Sequence, residues 1–565
     1  MTIIENKISK FTLEDRSDEF EFKQSKINLN IKFNRIAFIF FVFFLISIIY
    51  AIHLSHLGSR NLNHTKTSSN NYNSFNTLQR ADIIDRNGNF LAKTVNSIDI
   101  GINPAEVIDK KKLILNLKYI FPNKDYVSVD SRLKKNKFFW FEKKISDENY
   151  EKVMMLGDKS IKPHEKLVRV YPEKNLFSHI IGQIDDDNKG ISGIEKSYDS
   201  NLTNKDELIQ LTVDRDIQYL IREELIKFNK IFNTIGSAAI LMDVNNGEII
   251  SIVSLPDFNP NKRKKITDVN FINRATKGVY ELGSVFKTFT LAAALNEKTV
   301  EPDTEFKNLE KSIKCGRNTI SEYDDNIPSS LTAEQILIRS GNIGSVRIGQ
   351  SIGIEKFRDF IKNLNLIETS KFDIEEVGTP IPFKWGKCKL ATVSYGHGIT
   401  TTILQLTGAY SIIANGGFEI KPTLIKKKSY TQGNRILNKN VSKSLISILR
   451  KIVTSKEGTA SLANVEGYEV AGKTGTAEKS TIGGYSRKKI NTFATIFPAS
   501  NPKYSLVVML DEPKTNSEYI YNYRDGSGIR YKGTPFNTAG WTSVEVVGQI
   551  LEKIGPILAT KYING

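Results

Sequence analysis

The chain has 565 residues, 40% of them hydrophobic and 10% aromatic, which is enough to bury more than one core and excludes an intrinsically disordered protein. Its formal charge of +17 comes from lysines scattered along the whole length. With no basic stripe carrying interleaved aromatics, that charge reads as a solvated, Lys-rich composition and argues against a nucleic-acid-binding surface.

Residues 1–35 are polar, mixed in charge and without periodicity, and read as a mobile cytoplasmic tail. Ile36 to Ile52 is a run of 17 residues without a charge. As a helix it spans about 25 Å, and the next turn brings it to bilayer thickness. No small-residue cleavage site follows, so residues 36–57 are expected to form an uncleaved transmembrane anchor. Lys23, Lys26, Lys32 and Arg35 precede it with no acid after Glu21. This asymmetry puts the N-terminus in the cytoplasm and the rest of a single-pass chain outside the cytoplasmic membrane. Residues 58–79, rich in Asn, Ser and Thr, read as a linker.

The stretch 80–207 reads as a first domain. Arg80 to Ala92 places short apolar strands around Asn87-Gly88, a hairpin signature. Val107 to Met155 has a helical pattern, Leu167 to Tyr171 predicts a strand stopped by Pro172, and His179 to Tyr198 predicts a strand leading into a helix. No nucleophile with a base beside it stands out here, so this part is expected to be a pedestal.

From Leu208 the texture changes. A helix is expected over Ile217 to Phe228, then a hairpin of Ser237–Asp243 and Glu248–Val253. Apolar helices are expected from Ser284, at Ala333–Arg339, Ile343–Ile352, Leu404–Asn415 and Val441–Thr454. Strands follow around Tyr468–Lys473, Thr492–Phe497 and Ser505–Leu510, then a terminal helix at Val544–Ile554. An early hairpin, helices in the middle and late strands predict one α+β domain over 208–565, an antiparallel sheet flanked by helices.

Cys315 and Cys388 are isolated, with no Cys-x-x-Cys and no histidine at ligand spacing. A zinc site is therefore not expected, and a disulfide between them is left open.

Three islands break the core-filling pattern of the second domain. In Tyr280-Glu-Leu-Gly-Ser284-Val-Phe-Lys287, a helix opening at Ser284 brings the Lys287 amine within reach of the Ser284 hydroxyl, a nucleophile with its own base. The spacing alone is weak, since Ser131/Lys134, Ser486/Lys489 and Ser500/Lys503 repeat it, but only Lys287 leads into an all-apolar helix. Ser340-Gly341-Asn342 puts a hydroxyl and an amide on a turn between apolar helices. Lys473-Thr474-Gly475-Thr476 puts a cation and two hydroxyls on what should be an edge strand.

In this order, about 55 and then about 130 residues apart, the three resemble the Ser-x-x-Lys, Ser-x-Asn and Lys-Thr-Gly set of penicillin-binding proteins and serine β-lactamases. The resemblance covers nearly everything from residue 80 onward. Asn273 to Ser284, Tyr395-Gly-His-Gly398 and Ala414-Asn-Gly-Gly417 look like further landmarks of the family. Arg80 to Ala92, Arg169-x-Tyr-Pro and Gly193-x-Glu195 resemble the pedestal of its class B, and His179 to Asp199 looks most like the division-type (septal, FtsI-like) branch. Gly341, Ile403 and Glu173-Lys174-Asn175 depart from residues frequent in the family, without removing a reacting group.

The resemblance implies a penicillin-binding transpeptidase fold on a smaller mixed α/β pedestal that resembles the family's dimerisation domain. It implies acyl transfer through a serine ester, with no metal and no cofactor. Ser284 would attack a carbonyl and Lys287 would take its proton, a transfer favoured if the cation-rich surroundings, Lys473 included, keep that lysine neutral. Ser340 would relay a proton to the leaving amine, and Asn342 would orient the substrate peptide. Lys473, Thr474 and Thr476 would hold a terminal carboxylate. The N–H groups of Ser284 and Thr476 would form an oxyanion hole, with Gly475 allowing close approach.

The implied substrate is the peptidoglycan stem peptide ending in D-Ala-D-Ala, which loses its terminal D-Ala and is either cross-linked in the septal wall or, in the carboxypeptidase reaction, hydrolysed. β-Lactams are implied as inhibitors, and a membrane-embedded glycan polymerase and other division proteins as partners. An elongation-type transpeptidase and a membrane-anchored β-lactamase or β-lactam sensor are the alternatives. Against the second, no Glu-x-x-Leu-Asn follows Ser340-x-Asn342 to supply a hydrolytic base, and the pedestal would be unexplained.

Overall fold

The computed structural model describes residues 37–55, 80–204, 207–262, 272–316, 318–481 and 484–563. The chain divides into two compact units, 1–77 and 78–565. The expected cytoplasmic tail and linker lie outside the described residues. In the first unit, Ala37–Ser55 is a helix of 19 residues with mean hydropathy 2.6, its side chains all exposed. At 1.5 Å per residue it is about 28 Å long, enough to cross a membrane.

The second unit opens with the expected hairpin. Ile83–Ile84 pairs antiparallel with Phe90–Ile102, a strand that runs well past the expected end at Ala92 and also pairs with Ile161–Val170 and Phe139–Ile145. The helices Lys110–Ile120, Tyr126–Lys134 and Asp147–Met154 fall inside the stretch expected to be helical, but Phe139–Ile145 within it is a strand. Its Phe-Trp-Phe start is β-prone and pairs across the sheet, so long-range pairing overrides the lysine-rich helical spacing. The strand expected at His179 is instead a short helix, Ser178–Ile181, and Ile184 makes only an isolated bridge to Gly190. Ser178, Ile180 and Ile181 are all buried, and so short a buried stretch is one that periodicity alone does not distinguish from a strand.

Among the described residues two hydrophobic cores form. A small one, including Ile100, Leu117, Leu133, Phe141 and Ile161, belongs to the distal part of the first domain. The large one runs from Ala81 through Leu558, so the hairpin end of the first domain shares its core with the second. Ile209–Gln210, expected to begin the second domain, pairs in parallel with Ile83–Ile84.

The second domain is built on a five-stranded antiparallel sheet in the order Ala471–Thr481, Gly484–Phe497, Tyr504–Asp511, Gly236–Asp243, Ile249–Leu255. Every residue of Tyr504–Asp511 is buried, as a central strand covered on both faces requires. The fully buried helix Ile403–Ala414 packs on one face, and Arg215–Ile231 and Ser543–Leu558, which pack on each other, cover the opposite face. Arg215–Ile231 starts where the Asp214 carboxylate accepts the N–H groups of Asp216 and Ile217, and it buries Ile217, Ile221, Leu225 and Phe228 at helical spacing. The expected helices at 333, 343, 404, 441 and 544 are present, and so are the late strands. Ile354–Asn363 and Lys387–Ser394 are additional helices that the sequence reading did not identify.

Candidate active site

Ser284 does not open an α-helix. It lies on a 3-10 turn, Gly283–Phe286, and the α-helix Lys287–Asn296 begins three residues on. The serine and lysine still share a face, because that turn also repeats about every three residues. Gly283 has φ 64, and a Cβ there would come within 2.7 Å of the Thr476 carbonyl oxygen. Helix Lys287–Asn296 is buried from Lys287 through Leu295. Polar contacts pin its start: Tyr410 Oη donates to the Val285 carbonyl at 3.1 Å and lies 2.9 Å from Thr288 Oγ1.

The second island sits where expected, on the turn between the helices Ala333–Ile338 and Asn342–Ile352. Ser340 has φ 60, a left-handed conformation few non-glycine residues adopt. The third island lies on Ala471–Thr481, an edge strand as the sequence predicts. With side chains alternating along a strand, Lys473 and Gly475 share a face. Gly475 packs directly on the nucleophile turn, and a Cβ there would stand 2.1 Å from the Leu282 carbonyl oxygen.

The tertiary structure brings the three islands together. Lys287 Nζ donates to the Ser340 carbonyl at 2.5 Å and to Asn342 Oδ1 at 2.7 Å, and lies 3.3 Å from Ser340 Oγ. Lys473 Nζ donates to the same Ser340 Oγ at 2.9 Å and to the Thr474 carbonyl at 3.1 Å. Both lysines are buried, while Ser284, Ser340, Asn342 and Thr476 are half-exposed. The hydroxyls and the amide are therefore reachable from solvent, while the two amines are not. Among the described residues, Lys287 is hydrogen-bonded to Ser340 and Asn342 and not to Ser284. Thr474 Oγ1 lies 2.7 Å from Thr459 Oγ1, and Thr476 Oγ1 accepts the Ala539 N–H at 3.0 Å, which leaves its proton free to donate.

Burial pulls the Lys287 amine down to about 7, against the opposing pull of Glu322. Burial and then the neighbouring Lys287 push Lys473 well below the ordinary lysine range. Burial is the leading cause for both lysines, and their mutual repulsion disfavours two protonated amines side by side.

The sequence reading missed two acids at this site. Glu322 accepts the backbone N–H groups of Asn342 and Ile343. Glu281, three residues before Ser284, accepts the Gly398 N–H at 2.9 Å and the Tyr485 hydroxyl at 3.0 Å, joining the nucleophile turn to the Tyr395-Gly-His-Gly398 landmark and the Gly484–Phe497 strand. No local spacing marks either acid. Cys315 and Cys388, left open by sequence, form a disulfide that ties the Ser312–Cys315 strand to helix Lys387–Ser394.

The penicillin-binding protein transpeptidase domain matches residues 237–526, and the penicillin-binding protein dimerisation domain matches residues 76–227. The chain belongs to the penicillin-binding protein transpeptidase family. With both modules it has the make-up of an FtsI-like class B member. A Caulobacter vibrioides protein named "Probable peptidoglycan D,D-transpeptidase FtsI" is 29% identical over 498 residues, covering 85% of this chain and 82% of the relative. The peptidoglycan D,D-transpeptidase FtsI of Buchnera aphidicola subsp. Baizongia pistaciae is 28% identical, covering 78% of this chain and 84% of the relative. Penicillin-binding protein 3 of Mycobacterium tuberculosis, in its apo form, has a similar fold, with a TM-score of 0.62 at 22% identity over 86% of this chain and 97% of that one. A second structure of that protein, complexed with aztreonam, matches equally well, with a TM-score of 0.62.

Proposed function

We propose that this penicillin-binding protein cross-links peptidoglycan stem peptides ending in D-Ala-D-Ala through an ester on Ser284, in the septal wall of a dividing cell. The observation that carries the reading is the convergence of two buried lysines from separate elements on the Ser340 hydroxyl, beside an accessible Ser284.

A neutral Lys287 has two N–H bonds, and the Ser340 carbonyl and Asn342 Oδ1 take both. Its lone pair is then left to accept a proton. Ser284 Oγ attacks the carbonyl of the penultimate D-Ala as Lys287 takes the hydroxyl proton. The C–N bond to the terminal D-Ala breaks as Ser340 gives its proton to the departing amine and regains one from Lys287, which is left neutral again. The amine of a neighbouring strand then attacks the ester and forms the cross-linking amide, and as the ester C–O bond breaks the proton this amine loses restores the Ser284 hydroxyl. Asn342 orients the peptide. Lys473, Thr474 and Thr476 hold the terminal carboxylate, and the Ser284 and Thr476 N–H groups receive the oxyanion, with the bare Gly475 allowing the strand to lie close.

The division-type assignment follows relatives named FtsI and the residues His179–Asp199. Residues 80–207 serve as the pedestal and 208–565 as the catalytic domain, with a seam at Ile209–Gln210 where they share a sheet. The apolar helix Ala37–Ser55 anchors the chain in the cytoplasmic membrane, N-terminus inside, and a membrane glycan polymerase and other division proteins are its partners. The Cys315–Cys388 disulfide supports a catalytic domain outside the cytoplasm, where such bonds persist.

Fluorescent penicillin tests the chemistry. Wild type should form a long-lived adduct and Ser284→Ala none, whereas rapid release of hydrolysed drug would favour a β-lactamase. A Ser284→Ala allele that fully supports division would overturn the assignment. Depletion that blocks elongation but spares septation would move it to the other branch, and a cytoplasmic reporter fused after residue 60 would refute the topology.

A further inference from the structure

Helix Asn342–Ile352 begins without a cap of its own. Gly341 stands at its N-cap position, and its first turn contains no acid. The first N–H groups of a helix need acceptors and favour a negative charge. Glu322 supplies both from outside the helix: its Oε2 accepts from Asn342 N–H at 2.6 Å and its Oε1 from Ile343 N–H at 2.9 Å. The preceding residue takes the other end of Asn342, whose Nδ2 donates to the Ser321 carbonyl at 2.8 Å. With backbone and amide nitrogen both held by Ser321-Glu322, the remaining Oδ1 faces Lys287 Nζ.

We propose that Glu322 is a positioning residue for acylation, its carboxylate holding the Ser340-Gly341-Asn342 turn on the Lys287 amine and setting a negative charge opposite that amine. The inference rests on Lys287 being the base that deprotonates Ser284. Most of the titratable groups on neighbouring elements have partners of their own. Lys473 bonds Ser340, Arg339 pairs with Glu457, and Lys389 of helix Lys387–Ser394 donates to the Gly398 carbonyl. Lys311, before the Ser312–Cys315 strand, donates to the Asp325 and Ile327 carbonyls, and Tyr323 and Asp324 follow Glu322 on its own segment. Burial pulls Lys287 towards its neutral form, and Glu322 opposes it. Removing the charge therefore makes the lysine lose its proton at lower pH.

The test is the rate of fluorescent-penicillin acylation of the full-length protein against pH. Glu322→Gln keeps an acceptor oxygen but not the charge, and it should move the acid limb down by about half to one pH unit. Glu322→Asp withdraws the carboxylate by one methylene and should give a smaller downward shift. A limb that stays in place in Glu322→Gln, or moves up, overturns the proposal. If that variant does not fold, Glu322→Asp decides, and a wild-type limb overturns it. A role confined to capping the helix lowers melting temperature and plateau rate together and leaves the limb unmoved. The readings beneath it fail separately: an unlabelled wild type would refute the acyl-serine chemistry, and normal acylation by Lys287→Arg would refute the base.

Discussion

Asn342 Oδ1 lies 2.7 Å from Lys287 Nζ and so holds the amine of one island on the turn of another. With the Ser340 carbonyl it occupies the two N–H bonds of a neutral lysine, and burial brings that neutral form within reach at about 7. Only the neutral form can accept a proton, so if Lys287 is the base proposed for Ser284, acylation should rise with pH through about 7 and then level off. Lys287→Arg fills similar space but stays protonated, and should lose about 100-fold to 10,000-fold in acylation rate. Stopped-flow penicillin labelling from pH 5.5 to 9 measures both.

The same lysine has a stability signature. Its proton affinity is lower folded than unfolded, so between about 7 and the ordinary lysine value near 10.5 the unfolded chain carries a proton that the folded chain lacks. Its contribution to stability should therefore grow as pH rises across that window and be smallest below 7. Lys287→Met, which does not titrate, should flatten the difference in denaturant midpoint between pH 7 and pH 9.5.

Gly475 meets the Leu282 carbonyl so closely that a methyl group would stand 2.1 Å away. Gly475→Ala must push the edge strand off the nucleophile turn. A cost of about 1–3 kcal/mol in stability is expected, with acylation slowed by about 100-fold from misplacement. Thermal melting together with labelling kinetics separates the two effects.

Glu195 is fully buried between two guanidiniums, with Arg80 Nε at 2.6 Å and Arg169 Nε at 2.7 Å. Glu195→Ala leaves both cations without this partner and should destabilise the first domain by about 3–5 kcal/mol. Urea unfolding followed by circular dichroism would show it, while Ser284 labelling of the folded fraction is retained.

The Cys315–Cys388 bond closes a loop of 73 residues in sequence separation that contains Glu322, Ser340 and Asn342. Removing it in the double variant Cys315→Ser, Cys388→Ser should cost about 2–4 kcal/mol. Dithiothreitol should lower the melting temperature of wild type and leave the double variant unchanged.

Much of this protein was determined by sequence alone. The apolar run before residue 57, the Ser237–Val253 hairpin, the late strands and the main helices are local patterns of hydrophobic spacing, and spacing survives without knowledge of partners. Ser284, Lys287, Ser340, Asn342 and Lys473 were legible as candidates because three islands, each weak alone, stand in the order and spacing of a known family's motifs. Tertiary structure decided what no local pattern encodes. The strand Phe139–Ile145 exists through pairing with Ile98–Ile102, and His179 becomes helical because its neighbours are buried all round. Glu322, 20 residues from Asn342, caps a helix it does not belong to, and the two cysteines meet across 73 residues. The lysine pair is the sharpest case. Its residues are visible in the sequence, but their proton affinities come from desolvation and from charges that only the folded chain brings together.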